Sequence, residues 1–301
     1  SSAAMQARSL VDLRAPSRAI YFADLTLTAC VTYAGLAIAY LRSLPLGVAV
    51  AGLALSRAAL FAHELSHQRN AVKGLRLAWH VLIGVPFLFP TFIYERVHRE
   101  HPRLSVYRTE RDPEHAPDPR SFLVRTAQNQ LAARVLPLVL WFRWAIVAPL
   151  SFVVPGGRAF VLRRFSSLTM NPKYVAPSTQ RRSELLAELG CMAAAWSMLL
   201  LPGRALLASA LAMGLAVGIS DLRGEVLHDF KDGPTGTLER QVADSVNLES
   251  TNLLVRLFFP MGIGLHKLHH LAPWLPYHAL REALARTRAP ERALSRSASS
   301  P

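Results

Sequence analysis

The chain has 301 residues, of which 51% are hydrophobic and only 18% are charged. Soluble domains usually carry about a quarter of their residues as Asp, Glu, Lys and Arg, so this composition argues against both an ordinary soluble enzyme and a disordered chain. The formal net charge of +14 suits either nucleic acid or an anionic membrane surface. Because long apolar runs follow, we expect membrane lipids as partners and no nucleic acid.

Four apolar runs approach the ~20 residues that a helix needs to cross the hydrocarbon core of a bilayer. The first two, 19–41 and 46–62, are separated by a short break at 42–45. The second two, 185–201 and 205–220, are separated by the turn signal Pro202-Gly203-Arg204. The pattern predicts an all-α integral membrane protein with four spans arranged as two helical hairpins and a cytosolic, histidine-rich cap.

Two further apolar stretches, 75–94 and 131–155, contain prolines or charged residues. We expect them to lie at the interface or to be re-entrant, and the alternative in which both cross gives six spans. The segments dense in Arg and Lys are 63–130, 156–184 and 222–301. By the positive-inside rule, these segments, with the histidine-rich cap that they form, and both termini are expected to be cytoplasmic.

The predicted domain organisation has three parts. Residues 1–18 form an N-terminal cytosolic segment, which lacks the pattern of a cleaved signal peptide. Residues 19–280 form the membrane domain. Residues 281–301 form a basic tail rich in Arg, Ala and Ser, which is expected to be disordered near lipid headgroups.

Two charged residues, Asp24 and Arg57, fall inside the first two predicted spans. Such residues usually face the protein interior and pair with each other. Helical rise alone leaves a direct bridge between them open. Arg57 could instead line a substrate entrance.

The chain contains 11 histidines, and most of them stand in short groups. These groups are His63-Glu64-Leu65-Ser66-His67, His98-Arg99-Glu100-His101, the single His228, and His266-Lys267-Leu268-His269-His270. Spacings of three and four place imidazoles near one another on a helix, which suits shared metal ligation. One such pair could be a solvated helix face, but several groups on one side of the membrane indicate a common metal site.

The first group also matches the HExxH pattern of zinc proteases, in which Glu64 would act as general base. A zinc membrane protease is therefore an alternative. It leaves the histidines of the other groups unexplained.

The order of these groups resembles the membrane-bound fatty acid desaturase and hydroxylase superfamily, the histidine-box non-haem di-iron proteins. The ending from His266 to Leu280, HKLHHLAPWLPYHAL, is similar to that superfamily's HxxHHLxPxxPYHxL. Leu227-His228 matches its single downstream histidine, and the segments 111–114 and 244–247 resemble segments found near its boxes. The resemblance covers roughly residues 20–285.

This resemblance implies two non-haem irons as cofactors. The implied metal ligands are His63, His67, His98, His101, His228, His266, His269 and His270. We expect the last three to share one helical face, and we expect both His80 and His278 to be structural. Carboxylates that could orient the ligand rings are Glu64, Asp112, Asp229 and Asp244.

The implied function is an O2-dependent oxidoreductase that desaturates the acyl chain of a fatty acid or lipid. The first alternative is a hydroxylase or ketolase of a lipid, alkane or carotenoid on the same site, and a further one is an inactive lipid-binding relative. The sequence shows neither CxxC clusters nor room for a haem domain. We therefore expect a separate electron donor of the ferredoxin, rubredoxin or cytochrome type.

One position departs from the superfamily pattern. The second histidine group of that superfamily, its second box, reads HxxHH, whereas in this chain Pro102 follows His101. Proline cannot bind a metal, so one site is expected to be a ligand short. Water, Glu100 or His115 could fill the position, or that metal could bind weakly, in which case Pro102→His should tighten its retention.

Overall fold

The computed structural model describes residues 2–68, 71–114, 121–169, 171, 173–228 and 236–288. Every regular element in this part of the chain is helical. In order, the α-helices are α1 (Ser2–Arg8), α2 (Arg18–Leu41), α3 (Leu44–Gln68), α4 (Leu75–Trp79), α5 (Phe92–Glu100), α6 (Phe122–Phe142), α7 (Ala148–Val153), α8 (Gly157–Arg164), α9 (Arg182–Ser197), α10 (Gly203–Leu227), α11 (Leu238–Ala243), α12 (Leu253–Phe258) and α13 (His266–Leu271).

Two π-helical segments, His80–Gly84 and Arg143–Val147, continue α4 and α6. Short 3-10 helices lie at Val11–Arg14, Met198–Leu200 and Tyr277–Ala279, and residues 280–288 form a last helical segment. The prediction of an all-α membrane protein is confirmed. The four predicted spans lie in α2, α3, α9 and α10.

Helices α2 and α3 form a closely packed hairpin. A Cβ atom placed on Gly35 would lie 2.6 Å from the backbone nitrogen of Ala51, and one placed on Gly47 would lie 2.1 Å from that of Ala39. Any side chain at either glycine would push the two helix backbones apart. This close contact fixes α3, whose C-terminal end carries the first histidine group.

The described part of the chain contains five helices that are long and apolar enough to cross a membrane, and the fifth is Phe122–Val153. The C-terminal ends of α3 and α10 meet at the histidines, so both ends lie on one side. A short connection over residues 198–202 joins α9 to α10, so with both helices crossing the membrane α9 also begins on that side. Any crossings between α3 and α9 must therefore be even in number, and Phe122–Val153 cannot cross alone.

The interruption of this fifth helix favours a re-entrant path over six spans. π-Helical turns commonly bend a helix, and one occupies Arg143–Val147. Arg143 donates to the carbonyl of Phe165 (2.8 Å) and contacts Glu188, which is near the beginning of α9. These contacts hold the π-helical turn against α9 and against the segment that follows α8.

The beginning of the predicted disordered tail is folded. Helix 280–288 buries Leu280 and Ala283 in a small apolar cluster with Leu268, which lies inside the last histidine group, and Leu265, which directly precedes it. The three-residue spacing of Leu280 and Ala283 gives one apolar helix face, which the Arg- and Ala-rich composition obscures. Residues 289–301 lie outside the described part of the chain.

Candidate metal centre

The histidine groups come together from the ends of three helices and from one short helix. His63 and His67 stand in the last turns of α3, His98 near the end of α5, and His269 in α13. The nitrogens that these four can offer lie within 4.8 Å of one another. We call this set cluster A.

A second set lies beside the first. Ligand nitrogens of His101, His228 and His270 also lie within 4.8 Å of one another. His266 joins them, because its Nε2 lies 3.1 Å from Nε2 of His228 and 3.2 Å from Nε2 of His270. We call these four residues cluster B. Its rings lie next to those of cluster A, with centroids 5.5 Å apart for His266 and His269 and 6.4 Å apart for His98 and His101.

All eight sequence-predicted ligands therefore lie in two adjacent clusters. His266, His269 and His270 were expected to share one helical face. They do not, since His269 belongs to cluster A and the other two belong to cluster B. Residues four apart on a helix differ by about 40° in direction, whereas residues three apart differ by about 60° in the opposite sense. The four-residue spacing likewise keeps His63 with His67, and His98 and His101, three apart, lie in different clusters.

Hydrogen bonds at Nδ1 fix the orientation of three of these rings. His101 Nδ1 lies 2.9 Å from Asp112, His98 Nδ1 lies 2.9 Å from Glu114, and His228 Nδ1 lies 2.9 Å from the carbonyl of Gly224. An acceptor at Nδ1 selects the tautomer that leaves the Nε2 lone pair free. Each ring thus presents Nε2 as the candidate ligand atom.

The environment keeps most of these imidazoles in the neutral form that binds metals. Burial, together with the neighbouring imidazoles, lowers the pKa of His266, His269 and His270 well below the ordinary value. Burial also lowers the pKa of His228 to about 4. Protons therefore compete weakly for these nitrogens at neutral pH, and metal binding would require little deprotonation.

The pKa values of His101 and Glu114 shift in the directions that favour the charged form of each group. Burial alone would lower the pKa of His101, but the charges of Glu114 and Asp112 outweigh it and raise the pKa. Burial alone would raise the pKa of Glu114, but His98 and His101 lower it to about 2. Glu114 is therefore an anion beside both clusters.

The arrangement fits a bound metal. Buried polar atoms are nearly always hydrogen-bonded, yet three cluster nitrogens have no such partner among the described residues: His63 Nε2, His101 Nε2 and His266 Nδ1. In addition, nitrogens of neighbouring rings face each other at 2.9–3.2 Å. Neutral imidazoles packed in this way provide the nitrogen donors that iron, copper and zinc accept.

The proposed orienting carboxylates have different positions. Asp112 is fully buried and accepts from His101, from the backbone N–H of Arg108 (2.8 Å) and from that of Glu114 (3.0 Å). Asp244 instead contacts Tyr107, Arg108 and Arg240, and the Tyr107 ring in turn contacts that of His101. Asp229 and His115 lie outside the described residues.

Glu64 faces away from the histidines. Its carboxylate accepts from the hydroxyl of Tyr21 (2.5 Å) and from the backbone N–H of Tyr277 (3.3 Å). This position gives it no orienting contact with a ligand ring. It also gives no support to the zinc-protease alternative, in which Glu64 would activate water beside His63 and His67.

The remaining candidates have structural contacts. His80 Nε2 accepts from the backbone N–H of Thr91 (3.1 Å), and His278 Nε2 accepts from that of Ser17 (3.0 Å). Glu100 forms an exposed ion pair with Arg103 (2.8 Å), so it does not fill the position left by Pro102. The group that the sequence reasoning missed is Glu114, whose only sequence signal was its place in the acidic segment after the second box.

The charges inside the first hairpin are paired. Arg57 contacts both carboxylate oxygens of Asp24, at 2.6 and 2.5 Å, and the hydroxyl of Tyr277 donates to the same carboxylate (2.8 Å). The direct bridge left open by helical rise therefore forms. Through Tyr277 this ion pair links the hairpin to the segment that follows the last histidine group, His266 to His270.

Comparison with known proteins agrees with this site. The sequence matches the family model described as Fatty acid desaturase over residues 41–299. A protein of Caulobacter vibrioides (strain NA1000 / CB15N) named ceramide hydroxylase is 38% identical over 296 residues, which cover 93% of this chain and 84% of the relative. No solved structure matches. The chain is an oxidoreductase that belongs to the fatty acid desaturase family, as its histidine groups predicted.

Proposed function

We propose that the enzyme hydroxylates a long hydrocarbon chain of a ceramide or closely related lipid, using two irons bound by clusters A and B. The observation that carries the proposal is the pair of buried four-histidine clusters at the ends of apolar helices. The 38% identity to a ceramide hydroxylase over most of both chains favours hydroxylation over the desaturation expected from the sequence. Desaturation is the second candidate, and the family description favours it.

The reaction needs reductant as well as oxygen. One atom of O2 enters a C–H bond to form the alcohol, and the other leaves as water with two electrons and two protons. We propose that a separate ferredoxin, rubredoxin or cytochrome supplies the electrons. The irons would supply the activation of O2 that an unactivated C–H bond requires.

The protein contributes position and exclusion of water. His63, His67, His98 and His269 would hold one iron, and His101, His228, His266 and His270 the other. Asp112 and Glu114 hold two of these rings in the required tautomer through Nδ1. Six of the eight histidines are buried and the other two are half-buried, so bulk water would be largely excluded from the place where the hydrocarbon chain reacts.

A recess beside the last histidine group, His266 to His270, could receive the polar end of the lipid. It is lined by Arg57, Arg256, Arg281 and Tyr277, and Leu265 forms part of its wall directly before His266. A headgroup here would leave the attached hydrocarbon chain close to the clusters. The earlier suggestion that Arg57 lines a substrate entrance is compatible with its ion pair to Asp24.

The product identifies the reaction. In a bacterial host supplied with ceramide, we expect the wild-type protein to give a lipid that has gained one oxygen atom, and labelled O2 should place the label in it. The His269→Ala variant is the control and should give none. An unlabelled product that has lost two hydrogen atoms would establish desaturation instead, and zinc with no oxidised lipid would contradict both.

We also propose that the histidine clusters and both termini face the cytoplasm. The basic residues concentrate on the side where α3 and α10 end, which supports this orientation. In a variant with Cys30 and Cys191 replaced by alanine, cysteines at positions 43 and 203 should react with a membrane-impermeant thiol reagent added outside intact cells. Cysteines at positions 105 and 250 should react only after the cells are opened, and reaction of position 105 in intact cells would contradict the orientation.

A further inference from the structure

Glu114 lies between the two histidine clusters. One carboxylate oxygen lies 2.9 Å from Nδ1 of His98, which belongs to cluster A. The other lies 3.9 Å from Nε2 of His101, which belongs to cluster B. One side chain thus contacts cluster A with one oxygen and faces cluster B with the other.

The nitrogen facing Glu114 lacks a partner. Nδ1 of His101 is bound to Asp112, so Nε2 points to the opposite side of the ring, where it is buried without a hydrogen bond among the described residues. The 3.9 Å separation from Glu114 is too long for a hydrogen bond. It is, however, close to the distance of about 3–4 Å that separates two atoms bound to one metal ion.

Backbone hydrogen bonds hold Glu114 in place. Its backbone N–H donates to Asp112 (3.0 Å), and Asn171 holds the preceding backbone by donating to the carbonyls of Asp112 (3.0 Å) and Pro113 (3.1 Å). These contacts fix the loop that follows the second box. The carboxylate is therefore held at the clusters by the fold.

The second box also needs a ligand. Pro102 stands where the superfamily has an imidazole, and Glu100 is occupied by Arg103 on the exposed side. Carboxylate combined with imidazoles is a common donor set for non-haem iron. We propose that Glu114 is a ligand of the metal in cluster B, where it supplies the position that Pro102 leaves vacant, while its other oxygen orients His98 of cluster A.

This inference rests on the proposed iron-dependent function, and the test separates the two. Two variants provide single-iron proteins: His269→Ala should keep only the iron of cluster B, and His270→Ala only that of cluster A. Glu114→Gln is then added to each. Glutamine can still accept a hydrogen bond from His98 but is a much weaker ligand, so folding and cluster A should be preserved.

We expect Glu114→Gln to release iron at least about 10-fold faster to a mild chelator in the His269→Ala protein and to leave the His270→Ala protein unchanged. In the otherwise wild-type protein, only one of the two iron signals in the Mössbauer spectrum should change. Glu110→Gln, which alters an exposed carboxylate four residues earlier, is the matched control and should change neither.

Two further variants test the ligand role directly. Glu114→His should retain both irons, whereas Glu114→Ala should lose one. Pro102→His should restore iron retention to the Glu114→Gln protein but change the wild-type protein little.

If the wild-type protein binds two irons, the inference is overturned by unchanged iron retention in both Glu114→Gln and Glu114→Ala. A loss of iron from cluster A alone would also overturn it. Wild-type protein that binds no iron would overturn the proposed function and this inference with it.

Discussion

Replacing His269 with alanine should remove one of two irons, and replacing His270 should remove the other. The two residues are neighbours in α13, yet His269 lies with His63, His67 and His98, whereas His270 lies with His101, His228 and His266. Each substitution takes one imidazole from one cluster only. Activity should fall by at least about 100-fold in both variants, because the loss of a ligand exceeds the 10–100-fold effect of losing an orienting partner.

Iron content and Mössbauer spectra of the purified variants provide the measurement. We expect about one iron per chain in each, with different spectra, because cluster A and cluster B have different surroundings. His278→Ala is a suitable control, since its ring bonds to the backbone of Ser17 rather than to either cluster. Identical spectra for the two single variants, or two irons in both, would contradict the division into clusters.

Asp112→Asn should weaken iron binding in cluster B about 10–100-fold and lower activity to a similar extent. Asp112 binds Nδ1 of His101 with both oxygens, at 2.9 and 3.1 Å, and it is fully buried. An amide can donate as well as accept, so the tautomer of His101 with Nε2 free would no longer be enforced. Iron release to a chelator, measured separately for the two signals, checks this result.

Glu188→Gln distinguishes an orienting role from a structural one. Glu188 is also a buried carboxylate, but it pairs with Arg143 and Arg158 and contacts no histidine of either cluster among the described residues. Breaking a buried ion pair typically costs about 3–5 kcal/mol, so this variant should unfold at a lower temperature and still hold both irons. If Asp112→Asn also lowered stability alone and left iron retention intact, its proposed role would be wrong.

The sequence by itself determined the family, the class of reaction and the helical architecture. Four apolar runs predicted four helices of the right length, because the thickness of a bilayer sets the length of a spanning helix. The spacing of histidines within one helix also sets their relative directions. His63 with His67, and His266 with His270, are four apart and share a cluster, as this spacing predicts.

The tertiary structure decided everything that depends on relations between helices. The three-residue spacing of His98 and His101 predicts neighbours that share a site, but packing places His98 beside α3 and His101 beside the end of α10, in different clusters. The contacts of the π-helical turn at Arg143–Val147, the burial of Leu280 and Ala283 and the approach of Glu114 to both clusters all join segments far apart in the chain. Local periodicity fixes directions around one helix axis, and it carries no information about which neighbour that axis will meet.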